Sequence, residues 1–286
     1  MTKAKASTVT KTSAVKSTRT KKNDDSILAA PKPKVGVDLN AILHMREELK
    51  CKNKTQKLLI NLINEKEITI AVGPAGVGKS YIMIARALEL IRNTANPYSK
   101  IIISKPAVEA EENHGFLPGD MREKMDPFIA SSLDIFDKLI GKVNRLKLEE
   151  LGVLEVQPLA YIRGKSIDNT ILLMEEAQNM SPNQMKTLLT RIGDNSKFII
   201  SGDLDQSDRF RHYHQSGLYD ATIKHTNIDE IGMVVFGNED IVRNKIITKI
   251  LANYKREEPV TKAIDRPRLI TPNKVTFLSK LKNLFS

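Results

Sequence analysis

Ile68-Thr69-Ile70-Ala71-Val72-Gly73-Pro74-Ala75-Gly76-Val77-Gly78-Lys79-Ser80 is the stretch that decides the fold. Its first five residues are a β-branched run that suits a buried strand. The last eight fit the phosphate-binding pattern G-x-x-x-x-G-K-[ST] at every fixed position. The glycines let the backbone curl without a Cβ clash. In such a loop successive N–H groups wrap phosphate oxygens, Lys79 reaches the β- and γ-phosphates, and Ser80 offers its hydroxyl to Mg²⁺. From Tyr81 to Arg92 there is no Gly or Pro, and Ala, Leu, Ile and Met dominate, which reads as a helix. Strand, glycine loop and helix N-terminus is the context the pattern requires. Gly73, Pro74, Ala75, Gly76, Val77, Gly78, Lys79 and Ser80 are therefore assigned to binding a nucleotide, with Mg²⁺ as its companion.

Outward from this unit the chain alternates. Strand-like runs fall at 68–72, 100–104, 153–157, 170–174, 197–201 and 231–236. Helix-like runs fall at 80–93, 120–140, 182–192, about 215–226 and 239–254, preceded by 40–49 and 55–63. Apolar strands separated by helices predict an α/β fold, a parallel sheet sandwiched by helices. Ser181-Pro182 suits an N-cap followed by Pro at the first helical position. Residues 1–34 are Lys, Thr, Ser and Ala with few large apolar side chains, a composition that cannot offset the entropy of ordering. Three regions follow: a basic tail at 1–34, a folded domain at 35–256 and a tail at 257–286. In the last, Phe277, Leu278, Leu281, Leu284 and Phe285 share one face of a short amphipathic helix. That face packs on its own core or meets a partner or membrane surface.

The 286 residues are 41% apolar and 28% charged, as in ordinary soluble domains. No apolar run reaches the roughly 18 residues of a membrane span, and the basic N-terminus has no apolar core of a secretory signal. The single cysteine, Cys51, excludes an internal disulfide and a cysteine-based zinc site. A reducing, cytoplasmic setting is the expectation. The net charge is +11, but residues 1–34 carry nine Lys or Arg against two Asp, and 255–286 carry eight against three acids. Residues 35–254 are left with a net charge of −1. Basic tails bind nucleic acid through counterion release or serve as solubilising disorder, and composition does not choose between them.

A phosphate loop needs an acid for Mg²⁺ and, for hydrolysis, a base near the water. Strand 170–174 runs into Glu175-Glu176-Ala177-Gln178. Glu175 is assigned to the Mg²⁺ shell and Glu176 to polarising the attacking water. The next strand ends Ser201-Gly202-Asp203-Leu204-Asp205-Gln206. The Gln206 amide is placed as a sensor of the γ-phosphate or its water, against the alternative of a plain Gly-Asp turn. These polar ends share the sheet edge where ligands bind in open α/β folds. His114, His212, His214 and His225 have no ligand spacing with acids, apart from His212 and His214, and read as surface residues.

With these motifs in order, the chain resembles the PhoH-family ATPases, a P-loop group related to helicase motor cores with a RecA-like fold. The resemblance runs from about Lys54 to Tyr254. It rests on Gln56, Gly73–Ser80, Lys105-Pro106-Ala107-Val108-Glu109, Gly115-Phe116-Leu117-Pro118-Gly119 and Tyr161-Ile162-Arg163-Gly164-Lys165. It continues through Glu175–Asn179, Gln184-Met185-Lys186, Leu189–Gly193, Gly202-Asp203, Gln206, Asp208, Ser216-Gly217-Leu218 and Asp240–Arg243. Departures are Glu175 where the family usually has Asp, Lys105 for Arg, Asn244 for His and Ser80 for Thr. The resemblance implies ATP binding and hydrolysis, RNA as a substrate of some members, oligomeric assembly, and Gln56 reading the adenine edge.

Related motors close ATP between two tandem cores, and this chain has one. A cationic group from a neighbouring subunit would complete the site, worth roughly 10³–10⁵ in rate, which points to a ring such as a hexamer. Arg243 is the first candidate and Arg191 the second, with Arg209 and Arg211 behind them. The leading expectation is an ATPase motor on RNA or single-stranded DNA. The alternative is a nucleotide-gated interaction protein with slow ATPase activity, consistent with 5% aromatics and no Trp for base stacking. A small-molecule kinase is disfavoured, because it has no use for a water-activating Glu176.

Overall fold

The computed structural model describes residues 38–106 and 121–242, except Arg163 and Lys165, and leaves aside the side chains of 121–128. The expected tails, the 275–285 helix, Arg243, Asn244, His114 and the Ala107–Gly119 motifs lie outside the described residues.

Six strands form one parallel sheet: β1 (Ile68–Val72), β2 (Lys100–Ser104), β3 (Leu154–Val156), β4 (Thr170–Met174), β5 (Lys197–Gly202) and β6 (Ile231–Val235). Their order is β3-β2-β4-β5-β1-β6. Strands β1, β4 and β5 are buried along their whole length, as expected where helices cover both faces. Side-chain alternation splits the interior into two layers. Ile101, Ile103, Ile171, Leu173 and Ile199 face one layer, with Leu59 and Ile63 of α2 (Lys54–Glu65) and Met83 and Leu88 of α3 (Lys79–Arg92). Phe136 and Leu139 of α4 (Met121–Ile140) and Leu148 of α5 (Lys142–Glu150) complete it. Ile102, Leu172, Met174, Phe198 and Ile200 face the other. There they meet Leu159 of α6 (Leu159–Ile162), Met185 and Leu188 of α7 (Pro182–Leu189), and Leu218 and Ala221 of α8 (Gly217–Lys224).

Two differences from the expected helices have local causes. The run at 40–49 is helical only in α1 (Leu39–Ile42). After it the Arg46 N–H donates to the Leu139 carbonyl at 2.7 Å, so a tertiary bond at the end of α4 replaces the next helical one. Helix α5 was not expected, because its apolar residues form no stripe: Val143 is 67% and Leu146 45% exposed. It is held instead by Arg145, which is buried and ion-paired with Asp137 of α4 at 2.5 Å and Glu149 at 2.6 Å. The Ser181-Pro182 expectation holds as a capping box, with the Ser181 and Gln184 side chains each accepting the other's N–H. Within 239–242 the chain is a short 3₁₀ turn (Asn238–Asp240) and then extended.

Candidate nucleotide site

The assigned polar residues of the phosphate loop, together with Glu175, Glu176 and Gln206, lie at or beyond the C-terminal ends of the strands, whereas Gln56 is on α2 and Arg191 lies elsewhere. The loop from Gly73 to Gly78 leaves β1 with positive φ at Gly76 (88°) and Gly78 (89°), the second capping α3. Gly73 is required for space: a Cβ there would lie 2.6 Å from Phe236 Cβ and 2.8 Å from its carbonyl oxygen. The loop is tied in from three sides. Gly73 donates to the Gly202 carbonyl at 3.1 Å, Val242 donates to the Gly76 carbonyl at 3.1 Å, and Gln56 Nε2 donates to the Val77 carbonyl at 2.8 Å. The Lys79 ammonium reaches the carbonyls of Gly73 and Pro74, at 2.5 and 2.9 Å.

Gln56, expected to read a base, is buried under the loop, and its Oε1 accepts the Lys52 N–H at 2.7 Å. It nevertheless lines a cavity of about 490 Å³ beside Gly78, with Tyr81, Ile82, Lys52 and Lys138 among the walls. That volume is in the range of a small-molecule site.

Glu175 and Glu176 follow β4 and diverge. Glu175 is buried; its Oε2 accepts from Ser132 Oγ and lies 3.2 Å from Lys105 Nζ, while Oε1 is buried without a hydrogen-bond partner. Glu176 is exposed and takes the left-handed conformation at φ 53°, which costs a non-glycine residue about 1–2 kcal/mol. The turn points its carboxylate out of the sheet, where Gln178 Nε2 donates to Oε2 at 2.7 Å.

Gln178 and Asp203 belong to motifs seen in the sequence but were given no role of their own. Gln178 is buried; its Oε1 accepts the Asp203 N–H at 3.0 Å and its Nε2 also donates to the Gln206 carbonyl at 3.1 Å. The Gln206 side chain, the expected sensor, belongs to an exposed residue. The side-chain amides buried at this edge are those of Gln178 and Asn179. Gly202 makes room for the former, since a Cβ would meet Gln178 Oε1 at 2.6 Å. Burial pushes the Asp203 carboxyl above its ordinary range, opposed by the Asp205 N–H, the Lys79 charge and the Ala75 N–H. Its Oδ2 is buried without a hydrogen-bond partner. Asn179, next in line, accepts the Asp208 N–H at 3.0 Å and so orders the loop after β5.

Two orphaned carboxylate oxygens at this edge, Glu175 Oε1 and Asp203 Oδ2, fit a site that receives a divalent cation. Among the described residues no group of three or more His, Cys, Asp or Glu could hold a metal. Mg²⁺ with a nucleotide needs no such group, because phosphates and water complete its shell. His212 and His214 are exposed with parallel rings. Arg191 lies at the opposite end of the sheet, where its carbonyl accepts the Ile167 N–H.

Residues 48–255 match the model of the family described as PhoH-like protein. The chain belongs to the PhoH family. It is 36% identical over 211 residues to the PhoH-like protein of Bacillus subtilis (strain 168), covering 74% of this chain and 65% of the relative. The PhoH-like protein of Synechocystis sp. is 35% identical over 221 residues, 77% of this chain and 66% of the relative. The chain thus spans just under two-thirds of these PhoH relatives. Among solved structures, the UvsW helicase from bacteriophage T4 is similar at TM-score 0.37 and 13% identity, over 67% of this chain and 61% of that one. Among the described residues of this PhoH-family chain, no helix is long and apolar enough to cross a membrane. Family and loop together give the chain the fold and phosphate loop of the P-loop type.

Proposed function

We propose that this PhoH-family protein hydrolyses ATP to ADP and phosphate with Mg²⁺, coupled to RNA or single-stranded nucleic acid, as an oligomeric ring. The observation that carries the reading is the hydrogen-bonded path from the phosphate loop through Gly202 and Asp203 to Gln178 and Glu176. It ties the residues assigned to the phosphates to the residue assigned to the water. In this reading the loop N–H groups and Lys79 hold the phosphates, and the 490 Å³ cavity beside Gln56 takes the base. Ser80 and Glu175 would hold Mg²⁺, which supplies neutralisation of charge on the β- and γ-phosphates. Gln178 fixes Glu176 Oε2, so that Oε1 accepts the proton of the attacking water. Gln206 reports the outcome through its carbonyl on Gln178. Arg243 of a neighbouring subunit supplies the missing cation, with Arg191 the second candidate.

Steady-state ATP hydrolysis with and without single-stranded RNA and DNA, with Glu176→Gln as the blank, tests this. Stimulation that disappears in the variant is expected. A second reading, a nucleotide-gated interaction protein with slow turnover, is favoured by the net charge of −1 over residues 35–254. It predicts turnover indifferent to both polymers.

A further inference from the structure

Lys105 and Glu175 are the first residues past the ends of β2 and β4, and the Ser104–Met174 register sets them side by side. The Glu175 N–H donates to the Ser104 carbonyl at 3.1 Å, so the two backbones are still paired where the side chains leave the sheet. Lys105 Nζ lies 3.2 Å from Glu175 Oε2 and donates to Ser131 Oγ at 3.2 Å, and Ser132 Oγ donates to the same Oε2. The two side chains are only 9% and 5% exposed. One carboxylate oxygen therefore has two partners, while Oε1 is buried with none. A buried carboxylate is costly unless both oxygens are compensated.

We propose that Lys105 is a positioning residue for the cation that accompanies the nucleotide: with Ser132 it engages Oε2, and so presents Oε1 alone to the metal. This rests on the ATPase reading, because the cation enters with the nucleotide. The identity of the base matters. An ammonium is a point charge that occupies one oxygen, whereas a guanidinium opposite a carboxylate of this length forks onto both and closes Oε1. The length of the acid matters equally. Asp in place of Glu175 withdraws the carboxylate by roughly 1.5 Å, out of reach of Nζ. Exchanging both residues together restores contact, with the shorter acid held by one arm of the longer base.

Mn²⁺ binding to the full chain in the presence of ADP, followed by electron paramagnetic resonance, tests the arrangement. Lys105→Arg and Glu175→Asp are each expected to weaken Mn²⁺ by about 10- to 100-fold, and the double variant to return to within a few-fold of the wild type. ADP binding without metal is measured alongside, and the Mn²⁺ losses are expected to exceed any change in it. Lys105→Met, which cannot fork, serves if Lys105→Arg fails to fold, with a loss of about 10-fold expected. Lys105 variants that bind Mn²⁺ like the wild type, or a double variant that shows the product of both losses, overturn the inference alone. Failure of the wild type to bind Mn²⁺ with ADP overturns it together with the ATPase reading.

Discussion

The side-chain oxygen of Gln178 accepts the backbone N–H of Asp203 at 3.0 Å, which joins the ends of β4 and β5. The same side chain holds Glu176, so one amide sets the distance between the carboxylate proposed to activate water and the loop-facing strand. Gln178→Leu keeps the approximate shape and removes all three hydrogen bonds of this side chain, to Asp203, Glu176 and Gln206. Turnover is expected to fall on the order of 10²-fold through displacement of Glu176, with nucleotide affinity changed less than about threefold. Measuring kcat beside the Kd of a fluorescent nucleotide checks this. Equal losses in both would mean that Gln178 supports the phosphate loop and not the carboxylate.

Gly73→Ala places a methyl against the Cβ and carbonyl of Phe236. The loop must move, and nucleotide affinity is expected to drop at least ~100-fold, about 2.7 kcal/mol. Phe236→Ala does not rescue it, because the clash is with atoms that alanine retains. Isothermal titration of the single and double variants decides the point.

Asp203 makes stability depend on pH in a definite direction. Its folded pKa is raised by burial, so between the ordinary value and the folded value the native state binds the extra proton. Stability from this group falls as pH rises through that window, and the penalty is in full force above it. Asp203→Asn is therefore expected to raise Tm at pH 7 by a few degrees and to match the wild type at pH 3. Added Mg–ATP should stabilise the variant less, since one orphaned oxygen is gone. A Tm lower than the wild type at pH 7 without nucleotide would refute the assignment.

Lys197 sits at the other end of β5, buried, with its ammonium donated to the Lys66 carbonyl. Burial lowers its pKa to about 8, against the pull of Glu67 and with help from Arg86. The unfolded chain keeps the proton up to its ordinary value, so wild-type stability from this group rises with pH from about 8 to 10.5. Below pH 8 the cost is complete. Lys197→Met should stabilise by about 1–3 kcal/mol at pH 7, with the advantage shrinking by pH 10. Urea denaturation of both proteins at the two pH values measures it.

The inner strands were legible because strands buried on both faces leave continuous apolar runs, as in Ile101-Ile102-Ile103. Phosphate loop and acid motif were legible because each is local to one strand and the turn that follows. Strand order was not, and whatever depends on it stayed hidden. Lys105 and Glu175 are seventy residues apart in sequence and noted separately as departures from the family pattern. They prove to be a single contact, because β2 lies next to β4. The role of Gln178 stayed hidden for a related reason: its partner, the Asp203 backbone N–H, carries no side-chain signature. The truncated helix at 40–49 and the unexpected α5 share a cause, since both are settled by contacts to α4 and not by their own periodicity.

The bond from the Val242 N–H to the Gly76 carbonyl makes the segment leaving β6 the rear wall of the phosphate loop. Mechanically the two are in series. Tension on the chain from beyond Val242 meets this bond first, then the Asn53 grip on the Asp240 carbonyl, and only afterwards the pairing of β6 with β1. The curvature of the phosphate loop is thus wired to a handle outside the strand–loop–helix unit that builds it, and a load on that handle is felt as a change of shape around Gly76.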